Sequence, residues 1–228
     1  MSCTYKIISK LIARRLQGFL PGLVDAEQTG FVPGRRIEDN VMTLKMAEEW
    51  SYVADEDNLF VKLDFSKAFD RVSFKFMWGV LQKMGLSRNS IDRIRALMVG
   101  GSSCVHVNQD LTAPVKIKRG VRQGCPLAPL LFALSTQPLM RALQEAEKSG
   151  ELRGLKLPNL RTITHELFAD DTSVFISAVA GDFKKIKTVI EQFERASGAA
   201  LNMQKSLVKG NFAEGSGGRN DQEHREKA

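Results

Sequence analysis

Apolar residues recur at three- and four-residue spacing from Tyr5 onward, at Ile8, Ile12, Leu16, Phe19 and Leu23, while Lys6, Lys10, Arg14 and Gln17 fall on another face. This pattern predicts one helix with a buried stripe and a cationic back. Gly30, Pro33 and Gly34 break it in EQTGFVPGRRIEDN, a turn-rich loop that carries Arg35 and Arg36. A second helix is expected from about Glu38 to Tyr52. In NLFVKLDFSKAFD the β-favouring run Leu59, Phe60, Val61 ends in Asp64. Residues on both faces of that run are largely apolar, so its strand should be central in a sheet.

Two helices should follow, about Phe74 to Met84 and Ile91 to Val99, separated by a stop at Gly85. The stretch SSCVHVNQDLTAPVKIKRG alternates and turns near Asn108 to Asp110, which predicts a hairpin. In RQGCPLAPLLFALSTQPLMRAL, Pro126 suits the first turn of a helix, and Leu127 to Leu134 is apolar nearly all round. That helix should lie in the centre of the fold. Two strands, about Thr162 to Ala169 and Thr172 to Ser177, meet at the doubled acid Asp170 and Asp171 in HELFADDTSVFI. A last helix, Phe183 to Ala196, should stop near Gly198, before a short hairpin in LNMQKSLVKG. From Ala213 the composition turns to Gly, Ser, Asn, Glu and Arg, which cannot bury a core, so residues 213–228 are expected to be a disordered tail.

The 228 residues suffice for one domain with a sizeable core. The net charge of +7 favours an acidic partner, nucleic acid ahead of an anionic membrane surface. Cys3, Cys104 and Cys125 are too few and scattered for a disulfide framework or a zinc cluster, which fits a reducing compartment. No apolar run approaches the roughly 18 to 20 residues that span a bilayer, so no membrane partner is expected. Met1 to Val24 lacks Asp and Glu and could imitate a transit peptide, but a folded basic helix is the preferred reading.

Two aspartates at a tight turn have a purely conformational explanation, since Asp tolerates left-handed backbone angles. Two details point further. Leu167, Phe168, Val174 and Phe175 are apolar enough to hold the turn against a core, where adjacent carboxylates repel and lose solvation unless a cation offsets both effects. Asp64 also ends a strand that should join the same sheet. Three carboxylates converging there would form a hard oxygen site suited to Mg²⁺, the arrangement that two-metal phosphoryl transfer requires. Gly120, Gln123 and Gly124 precede the buried helix. They read either as a plain turn or as a place of close backbone approach to a nucleotide, with Gln123 offering both donor and acceptor. Arg35 and Arg36 suit phosphate oxygens or simply a solvated basic loop.

Together, KLDFSKAFD, RGVRQGCPLAPLLFAL and FADD resemble, in order and interval, the palm motifs of a reverse transcriptase of the non-LTR retrotransposon kind. TYKIISKLIARRLQGFLP and EQTGFVPGR resemble the fingers segments of that family. The similarity runs to about Phe212. It implies that Asp64 and Asp170 bind the metals, two Mg²⁺ ions with Mn²⁺ as a substitute, while Asp171 supports charge and geometry. Phe69, which by itself reads as a core aromatic, matches the ring that excludes a ribose 2′-hydroxyl and so selects deoxynucleotides. SGAALNMQKS resembles the next family motif, in which Lys205 would protonate the pyrophosphate leaving group. Lys6, Lys10, Arg14 and Arg15 would attract the nucleic-acid backbone.

The implied fold is α+β, a right-hand polymerase palm whose antiparallel sheet is backed by helices, with a fingers subdomain. Fingers are expected over about 1–56 and 100–118, and palm over about 57–99 and 119–212. The chain turns polar soon after Lys205 and opens inside the fingers, so a missing thumb, a missing endonuclease and a fragment of a larger element are expected. The implied activity is RNA-directed DNA polymerisation. Its partners would be an RNA template, a DNA primer, deoxynucleoside triphosphates and the remainder of the retrotransposon protein, inside the cell and by analogy in the nucleus. The alternative is an inactive remnant that only binds nucleic acid.

Overall fold

Ser2 opens the first helix by accepting the Tyr5 N–H on its hydroxyl at 3.3 Å. The computed structural model describes residues 2–53, 57–157, 162–169, 171–178 and 180–211. Helix α1 (Cys3–Gln17) stops at Gly18, and a short α2 (Leu20–Leu23) restarts with Pro21 in its first turn, so the single helix expected over this stretch is two. The buried positions are Ser9, Ala13, Leu16, Leu20 and Val24, about one residue out of step with the expected stripe; Ile8 is 43% exposed and Phe19 68%. Packing chose the face with the smaller side chains, Ser9 and Ala13, which lets α1 approach its neighbours closely. Hydrophobicity alone does not weigh that.

Helix α3 (Ile37–Val53) precedes strand β1 (Asn58–Leu63). A four-residue helix α4 (Ala68–Arg71) follows, entered through Lys67 in the left-handed region at φ 49°. Then come α5 (Phe74–Lys83) and α6 (Arg88–Met98), each opened by a serine hydroxyl that accepts the N–H three residues on. The expected hairpin is nested: β2 (Ser102–Ser103) pairs with β5 (Val115–Lys116), and inside it β3 (His106–Val107) pairs with β4 (Asp110–Leu111). Asn108 and Gln109, both at positive φ, make its tip. Helix α7 (Ala128–Lys148) buries 13 of its 21 residues and runs through the core as its composition requires.

After a small β6 (Leu155–Lys156) and β7 (Thr162–Ile163) pair come β8 (His165–Phe168), β9 (Asp171–Ser177), α8 (Ala180–Ser197) and β10 (Leu207–Asn211). The main sheet has the order β10-β1-β9-β8, all antiparallel, with β1 inside as its apolar faces demand. LNMQKSLVKG does not fold back on itself as expected. Leu201 bridges Phe65, residues 203–205 turn, and β10 then adds to the free edge of β1.

Strand alternation gives this sheet two different faces. Val61, Leu63, Val174 and Ile176 pack with residues of α5, α7 and α8 in the main core. Phe60 and Phe175 point the other way and join a second cluster with Leu44, Ala47 and Trp50 of α3. Helices on both sides of an antiparallel sheet make this an α+β fold.

Candidate active site

On the α3 side, the sheet changes character along its length. Phe60 lies opposite Phe175, with ring centroids 5.0 Å apart, and one step on Lys62 lies opposite Ser173. Pairing ends with Leu63 opposite Thr172, so that Asp64 is the next residue after β1 and Asp171 the residue before Thr172 on β9. Residues i and i+2 share a face, so the row that begins with two packed phenylalanines ends with two acids. Asp64 is half-buried, and its carboxylate makes no hydrogen bond or ion pair with a described residue. Its backbone is held firmly. The Asp64 N–H donates to the Ser206 hydroxyl at 3.2 Å, and its carbonyl accepts the Asn202 N–H at 2.7 Å. Lys205, exposed, sits in the turn between those two anchors.

Asp171 opens β9 directly opposite Phe168, leaving residues 169 and 170 to connect the strands. Ala169 takes the left-handed conformation at φ 58°. Asp170 lies outside the described residues. The Lys62 ammonium stands 3.6 Å from Asp171 Oδ2, both about half-exposed. Such a pair stabilises little but sets one cation beside the acidic end. A half-buried carboxylate without a partner among the described residues, at the same end of the sheet as a second one, suits a hard divalent cation.

Phe69, on α4, stacks on Phe132 at 4.3 Å and meets Phe31 edge-on at 6.4 Å, so its ring is fixed by two neighbours. The loop before α7 is stapled to the same segment: the Val121 N–H donates to the Phe69 carbonyl at 2.7 Å and the Gly120 N–H to that of Val72 at 2.8 Å. Gly120 has φ 79°, and a Cβ there would lie 2.5 Å from the Asp70 carbonyl oxygen, so only glycine fits. Gln123 and Gly124 are exposed, the latter at φ 75°. Tyr5 braces this loop from α1. Its hydroxyl donates to Cys125 Sγ at 3.3 Å, the Arg122 guanidinium lies 5.3 Å above its ring, and burial and the bond to Cys125 push the phenol up to about 12.

Arg35 and Arg36 have different surroundings. Arg35 turns inward: Nη1 donates to the carbonyls of Asp25 and of Gln28, the latter at 2.6 Å, and Nη2 to that of Val24 at 2.7 Å. Arg36 faces solvent, 3.7 Å from Glu38.

Sequence reasoning missed three residues that meet this region: Lys62, Ser206 and Gln28. Lys62 and Ser206 sit in motifs read for their neighbours. Gln28 belongs to EQTGFVPGR, read for its arginines, yet it is wholly buried and bonds to Ala169, 141 residues away. No local pattern could have shown that.

Behind the hairpin, on the helix-layer side, His165 is buried. Thr164 donates its hydroxyl proton to Glu147 Oε2 at 2.7 Å and lies 2.7 Å from His165 Nδ1, which makes Nδ1 the protonated nitrogen. Nε2 has no partner among the described residues. Burial holds the imidazole below its ordinary value, although the acids Glu27, Glu147 and Asp25 pull the other way.

Residues 1–211 match the family model described as reverse transcriptase (RNA-dependent DNA polymerase). A transposon TX1 protein of 149 kDa from Xenopus laevis is 32% identical over 208 residues, 90% of this chain and 15% of the relative. The Pol polyprotein of a type-1 retrotransposable element R2 from Popillia japonica is 25% identical over 211 residues, again 90% of this chain but 28% of the relative. The chain thus spans a minor part of the length of either. Among solved structures, telomerase from Candida tropicalis, in complex with a fragment of telomeric RNA, superposes with a TM-score of 0.62 over 91% of this chain and 34% of that one, at 15% identity. The apo enzyme truncated from its C-terminal domain gives 0.61 over 92% of this chain. At that identity the likeness concerns the fold, which is that of a reverse transcriptase palm and fingers.

Proposed function

The chain belongs to the reverse transcriptase family, a family of RNA-directed DNA polymerases that use divalent metal ions, and from that premise we propose that it extends a DNA primer along an RNA template. The observation that carries the reading is the register that ends with Leu63 opposite Thr172, which leaves Asp64 and Asp171 as the next residues of their strands at one end of the sheet. Asp64 and Asp170 would hold two Mg²⁺ ions, with Mn²⁺ as a substitute; bound there, the ions would neutralise the substrate phosphates and favour ionisation of the primer 3′-hydroxyl.

The chain's own groups have separate tasks in this reading. The new bond joins the primer 3′-oxygen to the α-phosphorus of the deoxynucleotide, and the bond to the bridging oxygen of pyrophosphate breaks. Lys205, exposed in the turn between the two Asp64 anchors, would give a proton to that oxygen. Phe69, clamped between Phe132 and Phe31, would exclude a ribose 2′-hydroxyl. Gly120 lets the loop carrying Gln123 and Gly124 come close to the nucleotide and template. Arg36 is better placed than Arg35 to meet the triphosphate, because three backbone carbonyls already occupy the Arg35 guanidinium. Lys6, Lys10, Arg14 and Arg15 lie exposed on α1, where they would attract the nucleic-acid backbone in a salt-dependent manner.

Primer extension on an RNA template with deoxynucleotides and Mg²⁺, run beside Asp170→Asn, tests this. Extension by the parent chain and not by the variant is expected. Equal extension by both sinks the site assignment, and no extension from a folded, template-binding chain leaves only nucleic-acid binding.

A further inference from the structure

A side-chain amide has two acceptor directions and two donor hydrogens, and Gln28 uses all four in a wholly buried place. Its Oε1 accepts the Gly30 N–H at 2.9 Å and the Ala169 N–H at 3.1 Å. Its Nε2 donates to the Ala169 carbonyl at 3.4 Å and to the Thr136 hydroxyl at 3.5 Å. The partners fix which end is which, because two backbone N–H groups can meet only the oxygen and a carbonyl only the nitrogen. One side chain therefore grips both backbone polar groups of the residue covalently joined to Asp170.

The surrounding chain reinforces that grip. Residues 27–29 extend the β8 edge of the sheet: the Leu167 N–H donates to the Glu27 carbonyl at 2.9 Å, and the Thr29 N–H to that of Leu167 at 3.1 Å. Gly30 lies so near the hairpin that a Cβ would stand 2.5 Å from Ala169 N. Arg35 in turn ties the carbonyls of Val24, Asp25 and Gln28 together, and the Asp25 N–H donates to Gln137 of α7 at 2.9 Å. Thr136 and Gln137, buried polar residues of α7, are thus the floor on which the loop rests.

What the loop holds is a conformation the hairpin would not choose alone. Ala169 is left-handed despite its Cβ, and Asp171, two residues on, carries the same charge as Asp64 at this end of the sheet. We propose that Gln28 is a positioning residue that locks the Ala169 backbone and thereby fixes the turn into β9 from which the metal-binding carboxylates are presented. The inference rests on the polymerase reading above. It assigns the fingers loop a task beyond phosphate contact: the backbone of the metal-binding hairpin is set from the fingers side.

The test uses the whole chain and Mn²⁺ as probe, read by water-proton relaxation, together with hydrogen exchange of the hairpin amides. In Gln28→Met, residues 167–171 should exchange faster while amides of α7 and α8 keep their rates. The Mn²⁺ dissociation constant should rise about tenfold or more, as for removal of groups that orient metal ligands. Unchanged hairpin exchange overturns the proposal. So does an unchanged dissociation constant in Gln28→Met where Asp64→Asn abolishes binding, and that outcome leaves the polymerase reading standing. A parent chain that binds no Mn²⁺ overturns both. Should Gln28→Met unfold outright, the same two measurements on Gly30→Ala decide, since that methyl would meet the Ala169 backbone and the Gln28 amide oxygen and so disturb the grip without removing the Gln28 side chain.

Discussion

The two faces of the main sheet are built from alternate residues of the same strands, yet they obey different demands. Toward α5, α7 and α8 the row Val61, Leu63, Val174, Ile176 is apolar and almost fully buried, and the polar Thr172 at its end is buried as well. Toward α3 the row starts with Phe60 and Phe175 and finishes with Lys62, Asp171 and Asp64, partly open to solvent. One face holds the chain together. The other uses that rigidity to keep like charges where they would not settle alone. Substitutions on the two faces should therefore separate stability from chemistry.

The sharpest separation is expected at Asp64. Asp64→Asn removes a carboxylate that has no described partner, so the urea midpoint should hold or rise while primer extension falls by roughly 10³-fold or more. A fall in midpoint matching the loss of activity would break the contrast. On the other face, Ile176→Ala leaves a cavity in the core and should lower the unfolding free energy by about 2–5 kcal/mol. Extension per folded molecule should stay within a few-fold of the parent; a large loss there would mean that the faces are not independent.

His165 adds a pH dependence to the packed face. Burial lowers its folded pKa below the ordinary value of about 6.5. The unfolded chain therefore binds the proton first as pH falls, so stability is complete above about pH 6.5 and declines below it toward the folded value. His165→Gln should flatten denaturation midpoints measured between pH 7.5 and 5.5, and an unflattened profile would assign the decline to other groups. The smallest effect is expected at Lys62. Lys62→Gln breaks a half-exposed pair and should change stability by less than about 1 kcal/mol, a limit that urea titration can check.

How far the sequence reveals these features depends on how local their causes are. Helix α7 was legible because an apolar stretch with Pro126 ahead of it has few other places to go, and β1 because both of its faces are apolar. The strand ends beside Asp64 and Asp171 were legible because an apolar β-favouring run stops at each acid. The α1 stripe was displaced by about one residue, since contact favoured small Ser9 and Ala13 over the larger Ile8 and Ile12. The α4 turn was missed because four residues carry no periodicity and its entry depends on Lys67 in a left-handed conformation. The β10 pairing and the Gln28 bonds link residues far apart in sequence, where single-chain patterns are silent.

The close approach of Gly120 to the Asp70 backbone has one more result. Because Phe69 and the loop bearing Gln123 are joined through peptide groups, not side chains, the distance between them is a property of the main chain. Mutational drift at neighbouring positions can change what either one touches without changing how far apart they stand. Replacement of the single glycine is what would undo that calibration.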